Sequence, residues 1–485
     1  MKQFIKTFFR AVKTLFRALR TAVSWSRQPE YRWLWCAAAA VLYCAVRFLP
    51  LPVEPAIQPA LAVFTVAAFL WGTNTLPLAV TGIIVLFLIP VSKTLSSAET
   101  YAYFGNPAVF FVLGAFILAS PIMRSGLSTR LALAVVSRFG SNQYALIGAI
   151  LLLGATMSFF LSTHAVVAML FPVILEVVQA AGAQPGGRFG LAAFLALAWG
   201  ASIGGMGTLL GGARTPLAIG LLQSTTGDTI SFVEWTLWSL PVVLLLLGVA
   251  YALILQIGRG TVVSMKDAHR YLEARSRQLG KISRREGLTA LVVLLTTVLW
   301  VFRGEVWGLD TIAFLGVVLS FILRIADWRE VEEDVNWGIF VMYGSAIALS
   351  AMLRDTGAAE ALAQGLISWI DAPRAIFSAV ILLTIFLTEG MSNAAAVAVL
   401  MPVALALAEQ YGIDPRAMTL AVTVPSGLAF MLPSASPATA IAIGSGYVRP
   451  FEAFCRGFWL KLSGFLLFLV MAQFYWPLVG LGSGL

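Results

Sequence analysis

The chain has 485 residues, 59% of them hydrophobic and 11% charged, with a net charge of +9. Soluble domains carry about 25% charged residues, so this composition excludes an ordinary soluble fold and predicts an all-helical integral membrane protein. Two histidines exclude a His-rich metal centre, and no transition metal or organic cofactor is expected. The three cysteines, Cys36, Cys44 and Cys455, lie in or beside apolar runs and read as small buried hydrophobes.

At the N-terminus, Lys2, Lys6, Arg10, Lys13, Arg17 and Arg20 recur every three or four residues opposite Phe4, Ile5, Phe8, Val12, Leu15, Phe16 and Leu19. This predicts a basic amphipathic helix over 1–32 on the anionic lipid of the cytoplasmic leaflet, not a cleavable signal peptide. The surplus positive charge sits beside apolar spans, which favours a membrane surface over nucleic acid. Uncharged apolar runs predict spans near 33–50, 57–73, 75–92, 106–123, 190–222, 236–257, 287–302, 308–324, 336–353, 415–445 and 454–480. Between a first half (33–256) and a second half (287–485), the stretch 257–286 carries eight basic residues, Arg259 to Arg285, and is expected in the cytoplasm. With the N-terminus inside, the count closes with the C-terminus outside an inner (plasma) membrane of bacterial type, provided that 141–185 and 372–410 enter without crossing.

Those two segments are copies of each other. Ser162-Thr163-His164 and Ser392-Asn393-Ala394 interrupt long apolar stretches 230 residues apart, and six positions match: Ser162/Ser392, Ala165/Ala395, Val167/Val397, Ala168/Ala398, Leu170/Leu400 and Pro172/Pro402. The same offset pairs Phe110 with Phe340, Gly114 with Gly344, Ser120 with Ser350 and Arg124 with Arg354. This is an internal duplication. Two half-helices meeting at a polar tip explain each segment better than one helix, and five intervening spans make the hairpins enter from opposite faces. Each hairpin precedes a span rich in breakers: Gly204, Gly205, Gly207, Gly211, Gly212 and Pro216 within 190–222, and Pro425, Pro433 and Pro437 within 415–445. Unwound backbone frees carbonyls for a cation and half-helix N-termini for an anion; close helix packing is the competing reading of the glycines.

Over about residues 57–480 the chain resembles the divalent anion:sodium symporter family, through "FLTEGMSNAAAVAVLMPVALALA", "ASIGGMGTLLGG" and "AFMLPSASPATAIAIGSGYV". The resemblance implies a homodimer with eleven spans and two opposed re-entrant hairpins per protomer, a transport part moving like an elevator, and a di- or tricarboxylate or sulfate as substrate. It also implies a Ser-Asn-Thr triplet at each tip and a Thr-Pro-Pro-Asn-like loop in each broken span. By that resemblance the substrate residues are Ser162, Thr163, His164, Arg214, Thr215, Ser392, Asn393, Ala394, Pro437 and Thr439. The cation residues are Ser162, Gly207, Gly211, Thr388, Asn393, Ser436 and Thr439. Three triplet positions depart from the pattern: Thr163 replaces Asn, and His164 and Ala394 replace Thr. The second site keeps enough oxygens for sodium, whereas the first has Arg214 and His164 nearby. One bound sodium is therefore expected rather than two, or else proton coupling or anion exchange.

Arg214 is a charge at membrane depth, which costs at least about 2.5–3.5 kcal/mol. It reads as a substrate contact or a substitute for one sodium, with snorkelling to an interface as the duller reading. His164 carries an imidazole, which can attract an anion when protonated, or serve as a satisfied core residue. Glu389, three residues before Ser392, reads as a carboxylate capping backbone, with a distant pair to Arg214 as the alternative. A secondary carrier of a C4-dicarboxylate or citrate is the leading reading and an enzyme is not expected. A sulfate or other oxyanion carrier with weaker sodium coupling is the alternative, and a channel or an intramembrane enzyme using Ser162 and His164 is a remote one.

Overall fold

The computed structural model describes residues 32–481 apart from 51–52, 141, 259–262, 264 and 368–371. The basic stretch 1–31, expected on the leaflet, lies outside the described residues. Among the described residues all regular structure is helical. Unbroken helices occupy Arg32–Phe48, Gln58–Thr73, Leu78–Val91, Pro107–Arg124, Phe232–Gly258, Arg284–Trp307, Leu309–Ile322, Trp337–Asp355 and Pro450–Val470. The two glycine- and proline-rich spans are split, into Arg188–Gly204 with Arg214–Thr226 and into Pro415–Ser426 with Pro437–Gly444. The polar tips interrupt Gln143–Met157 and Thr163–Ala180 in one half, and Pro373–Gly390 and Asn393–Tyr411 in the other.

The duplication persists helix by helix. Matching helices begin at 78 and 309, 107 and 337, 127 and 358, 143 and 373, and 163 and 393, an offset of 230 or 231. Packing is exchanged between the halves, as a two-fold relation requires: Trp337–Asp355 lies on Leu78–Val91, and Leu309–Ile322 on Pro107–Arg124. Likewise half-helix Arg214–Thr226 packs on Asn393–Tyr411, and half-helix Pro437–Gly444 on Thr163–Ala180. Each broken span thus reaches the other repeat's hairpin. Leu78–Val91 and Leu309–Ile322 have 14 residues each, about 21 Å against a hydrocarbon core of about 30 Å. Three of the four hairpin arms, by contrast, are long and apolar enough to cross, so the break at the tip, not arm length, distinguishes these segments.

The short helices Ser97–Ala102, Leu127–Phe139, Trp328–Asp334 and Ala358–Ile367 were not legible as spans because they are too short or too polar. A further helix, Met265–Gln278, forms within the connector and packs on Leu127–Phe139 and Thr163–Ala180. Arg130 fastens the end of the connector: it bonds Glu286 at 2.8 Å and the carbonyls of Leu279, Gly280 and Lys281 at 2.9–3.1 Å. Bonds from Arg130 and from the Ser283 amide hold the Glu286 carboxyl down at about 2.

One expectation about the core is corrected. Cys44 is exposed, and Cys36 and Cys455 are only half-buried. In a membrane protein the perimeter is as apolar as the interior, as Phe302 (75% exposed) and Phe386 (78%) illustrate. An apolar run therefore does not place a small side chain inside.

Candidate functional site

Both hairpin tips begin their second arm in the same way. Ser162 Oγ accepts from Ala165 N at 3.4 Å and Ser392 Oγ from Ala395 N at 3.3 Å, so each serine caps a helix. The next residue ties the tip to the broken loop of its own repeat. Thr163 Oγ1 is 3.3 Å from the carbonyls of Ala201 and Gly211, and its backbone N–H also donates to Gly211 O. The Asn393 amide is 3.1 Å from the carbonyls of Ser426 and Ala435 and 2.9 Å from Thr388 Oγ1. A matching tie runs from loop to arm: Thr208 Oγ1 donates to Phe159 O at 2.6 Å, and Ser434 Oγ to Glu389 O at 3.2 Å.

The two junctions differ chemically. Thr163 can donate its proton to a carbonyl, so a neutral hydroxyl satisfies the first. A β-carbon on Gly205 would stand 2.6 Å from Thr163 Oγ1 and 2.7 Å from Gly211 O, so this cradle closes only around glycine. At the second junction the Asn393 amide can present either end. With nitrogen inward it donates to both carbonyls. With oxygen inward, four oxygens from Thr388, Asn393, Ser426 and Ala435 converge with the Thr388 hydroxyl proton among them, a ligand set of the kind that suits a hard cation.

Arg214 lies between the two loops. It is the first residue of half-helix Arg214–Thr226 and only 4% exposed, which excludes snorkelling. Its Nη1 would be 2.9 Å from a β-carbon on Gly212, and its Nη2 2.7 Å from one on Gly427. Among the described residues Arg214 Nε and Nη2 have no hydrogen-bond partner, and neither does the fully buried Thr215 Oγ1. Ala213 before them supplies no cap, whereas Ser436 caps the matching half-helix by accepting from Ala438 N at 3.2 Å. The backbone N–H of Thr215 already donates to Gly212 O at 3.3 Å and Pro216 has none, so the groups left to receive an anion are the hydroxyl of Thr215 and the guanidinium of Arg214. Nearby, the buried hydroxyl of Tyr343 in Trp337–Asp355 lies against the Leu217 backbone of the half-helix that Arg214 begins.

The remaining expected residues divide. Thr439 Oγ1 spans the second loop to Ala429 O at 3.2 Å, and Ser436 and Thr439 are both buried. Gly207 is turned away, since its carbonyl accepts from Ser239 Oγ at 3.2 Å. Ala394 is buried and Pro437 exposed. His164 is exposed, so it is not a satisfied core residue. Glu389 does not pair with Arg214. Its Oε2 accepts from Leu432 N at 3.0 Å and its Oε1 from Lys461 Nζ at 2.5 Å. Lys461 escaped the sequence reading, although a lone lysine in the apolar run 454–480 carries the same signal as Arg214. The breaker-rich glycines serve both purposes: Gly204 lets its helix approach Ala155 O, only 2.2 Å from where a β-carbon would stand, while the loop glycines form the cradle.

A sequence profile of the sodium:sulfate symporter transmembrane region matches residues 30–481. The chain belongs to this family. It is a membrane transporter, not an enzyme. It is 28% identical over 437 residues to the sodium-dependent dicarboxylate transporter SdcS of Staphylococcus saprophyticus, covering 84% of each chain. The SdcS of Staphylococcus aureus is 26% identical with the same coverage, and an uncharacterized transporter of Haemophilus influenzae is 26% identical over 88% of this chain and 93% of its own. In fold it is similar to the YdaH transporter of Alcanivorax borkumensis, with TM-score 0.56 and 15% identity over 82% of this chain and 90% of that one. It is equally similar to MtrF of Neisseria gonorrhoeae, with TM-score 0.56 and 12% identity over 89% and 97%.

Proposed function

We propose that this transporter carries a C4-dicarboxylate, binding it between the two hairpin tips and coupling its movement to one sodium ion. The observation that carries the reading is the unpaired Arg214 guanidinium beside the unpaired Thr215 hydroxyl at an uncapped half-helix start. An unpaired buried charge costs several kcal/mol, and a carboxylate accepting from the guanidinium fork and the Thr215 hydroxyl offsets that cost. Ser162 and Ser392, one at each tip, hold the second carboxylate. His164, exposed on the first turn after the tip, adds positive charge on the approach when protonated. The dicarboxylate transport named for the staphylococcal relatives supports this substrate class.

The single sodium belongs at the Asn393 cluster. There the asparagine oxygen, the Thr388 hydroxyl and two carbonyls supply neutral oxygen ligands, and Ser436 and Thr439 support the same loop. At the first junction Thr163 closes the cradle by itself, and Arg214 supplies fixed positive charge in place of a second ion. Hairpins and broken spans, tied tip to loop, would move together as the transport part of a dimer, with the N-terminus cytoplasmic.

Uptake of labelled succinate into proteoliposomes in sodium, potassium and choline, with unlabelled dicarboxylates, citrate and sulfate as competitors, tests this. Sodium-dependent, dicarboxylate-competed uptake with no positive cooperativity in sodium is expected. Uptake competed by sulfate but not by dicarboxylates overturns the substrate, and a cooperative sodium dependence overturns the single ion.

A further inference from the structure

The buried pair Glu389–Lys461 is not explained by either half of that mechanism. Lys461 is 7% exposed, and its ammonium donates to Glu389 Oε1 at 2.5 Å and to the Ile385 carbonyl at 2.9 Å. The other carboxylate oxygen accepts from Leu432 N at 3.0 Å, and the Glu389 carbonyl accepts from Ser434 Oγ at 3.2 Å. One side chain therefore joins three elements: the final helix Pro450–Val470, the end of hairpin arm Pro373–Gly390, and the loop between Ser426 and Pro437. Leu432 and Ser434 flank the approach to Ala435, whose carbonyl is one of the four oxygens around Asn393.

The first repeat shows that the fold does not need such a pair. The position matching Glu389, 230 residues earlier, is Phe159. There the loop is fastened by neutral bonds from the following helix, Trp235 Nε1 to Met206 O at 3.1 Å and Ser239 Oγ to Gly207 O at 3.2 Å. Burying two charges is a poor way to gain stability, because desolvation offsets most of their attraction. What the pair adds is a rigid, fully bonded acceptor for the Leu432 amide. We infer that Glu389 and Lys461 are positioning residues that hold the second broken loop in register, so that the Ser426 and Ala435 carbonyls face the cation. Their effect falls on sodium affinity rather than on the fold.

This rests on the cation reading of the Asn393 cluster, and the test separates the two. Two double variants of the full chain are compared with wild type in proteoliposomes. Glu389→Gln with Lys461→Met keeps an oxygen for Leu432 N, whereas Glu389→Leu with Lys461→Met removes it; both discard the charge pair. Losing one buried hydrogen bond at the loop should raise the sodium half-saturation about tenfold in the Leu/Met variant. Succinate half-saturation at saturating sodium and the thermal midpoint should change little, and the Gln/Met variant should return close to wild-type sodium dependence. If the Leu/Met variant does not assemble, Ser434→Ala, which removes the weaker tie, should shift sodium half-saturation in the same direction by about threefold. Sodium half-saturation that is unchanged in all variants of a sodium-dependent wild type overturns the positioning role alone. Equal impairment of both doubles does the same, since the effect would then follow the charge and not the acceptor. A sodium-independent wild type overturns the cation reading and the positioning role with it.

Discussion

Replacing Arg214 by glutamine should move affinity and stability in opposite directions. Nε and Nη2 are buried without partners among the described residues, so the anion gains up to two charge-assisted hydrogen bonds, each contributing about 1.5–3 kcal/mol. Losing one weakens binding about 10- to 150-fold, and losing both goes beyond that. The anion-free protein meanwhile sheds an uncompensated buried charge that costs several kcal/mol, so Arg214→Gln should unfold at a higher temperature than wild type when no anion is present. Arg214→Lys should recover only part of the affinity, because an ammonium cannot present a planar fork to a carboxylate. Thermal unfolding of the detergent-purified protein across a succinate titration reads both quantities at once, and counterflow in proteoliposomes reads transport. An affinity within about threefold of wild type, under about 0.7 kcal/mol, combined with a lower anion-free melting point would refute the reasoning. Arg214 would then be a structural residue.

Asn393→Ala or Thr388→Val should raise sodium half-saturation about tenfold or more, each removing one oxygen from a buried cluster, and unchanged sodium dependence in both would remove the cation site. Gly204→Ala puts a methyl group 2.2 Å from Ala155 O, and overpacking of this kind costs about 1–3 kcal/mol. Its melting point should fall, whereas Gly248→Ala, with open space around its β-carbon, should melt like wild type. Glu286, held down at about 2 against an ordinary 4.5, contributes its stabilisation in full above pH 4.5 and loses it as pH falls from there towards 2. Arg130→Ala should flatten that acid limb of the melting curve, and an unchanged limb would show that the connector is held by other contacts.

Local pattern was enough for the long apolar helices, the breaks in them and their copies, but not for the short or polar helices such as Leu127–Phe139 and Met265–Gln278. Runs of apolar residues determine where helices lie in a bilayer, and the repeated Ser162 and Ser392 tips, with glycine and proline just beyond, determine where the backbone leaves them. That placed Thr163 and Asn393 at matching junctions and marked Arg214 as a charge requiring explanation. Partners were another matter. Glu389 and Lys461 meet across 72 residues within one half, and Arg214 reaches Gly427 of the other repeat across the two-fold, because tertiary packing brings together elements that no spacing relates. Exposure was equally out of reach: Cys44 sits in apolar sequence yet lies on the surface, since a helix in lipid is apolar on both its inner and outer faces, and nothing in the spacing of His164 told that its tip position is open. Tertiary structure decided which buried charges are paired, and among the described residues it left Arg214 Nε and Nη2 without a partner.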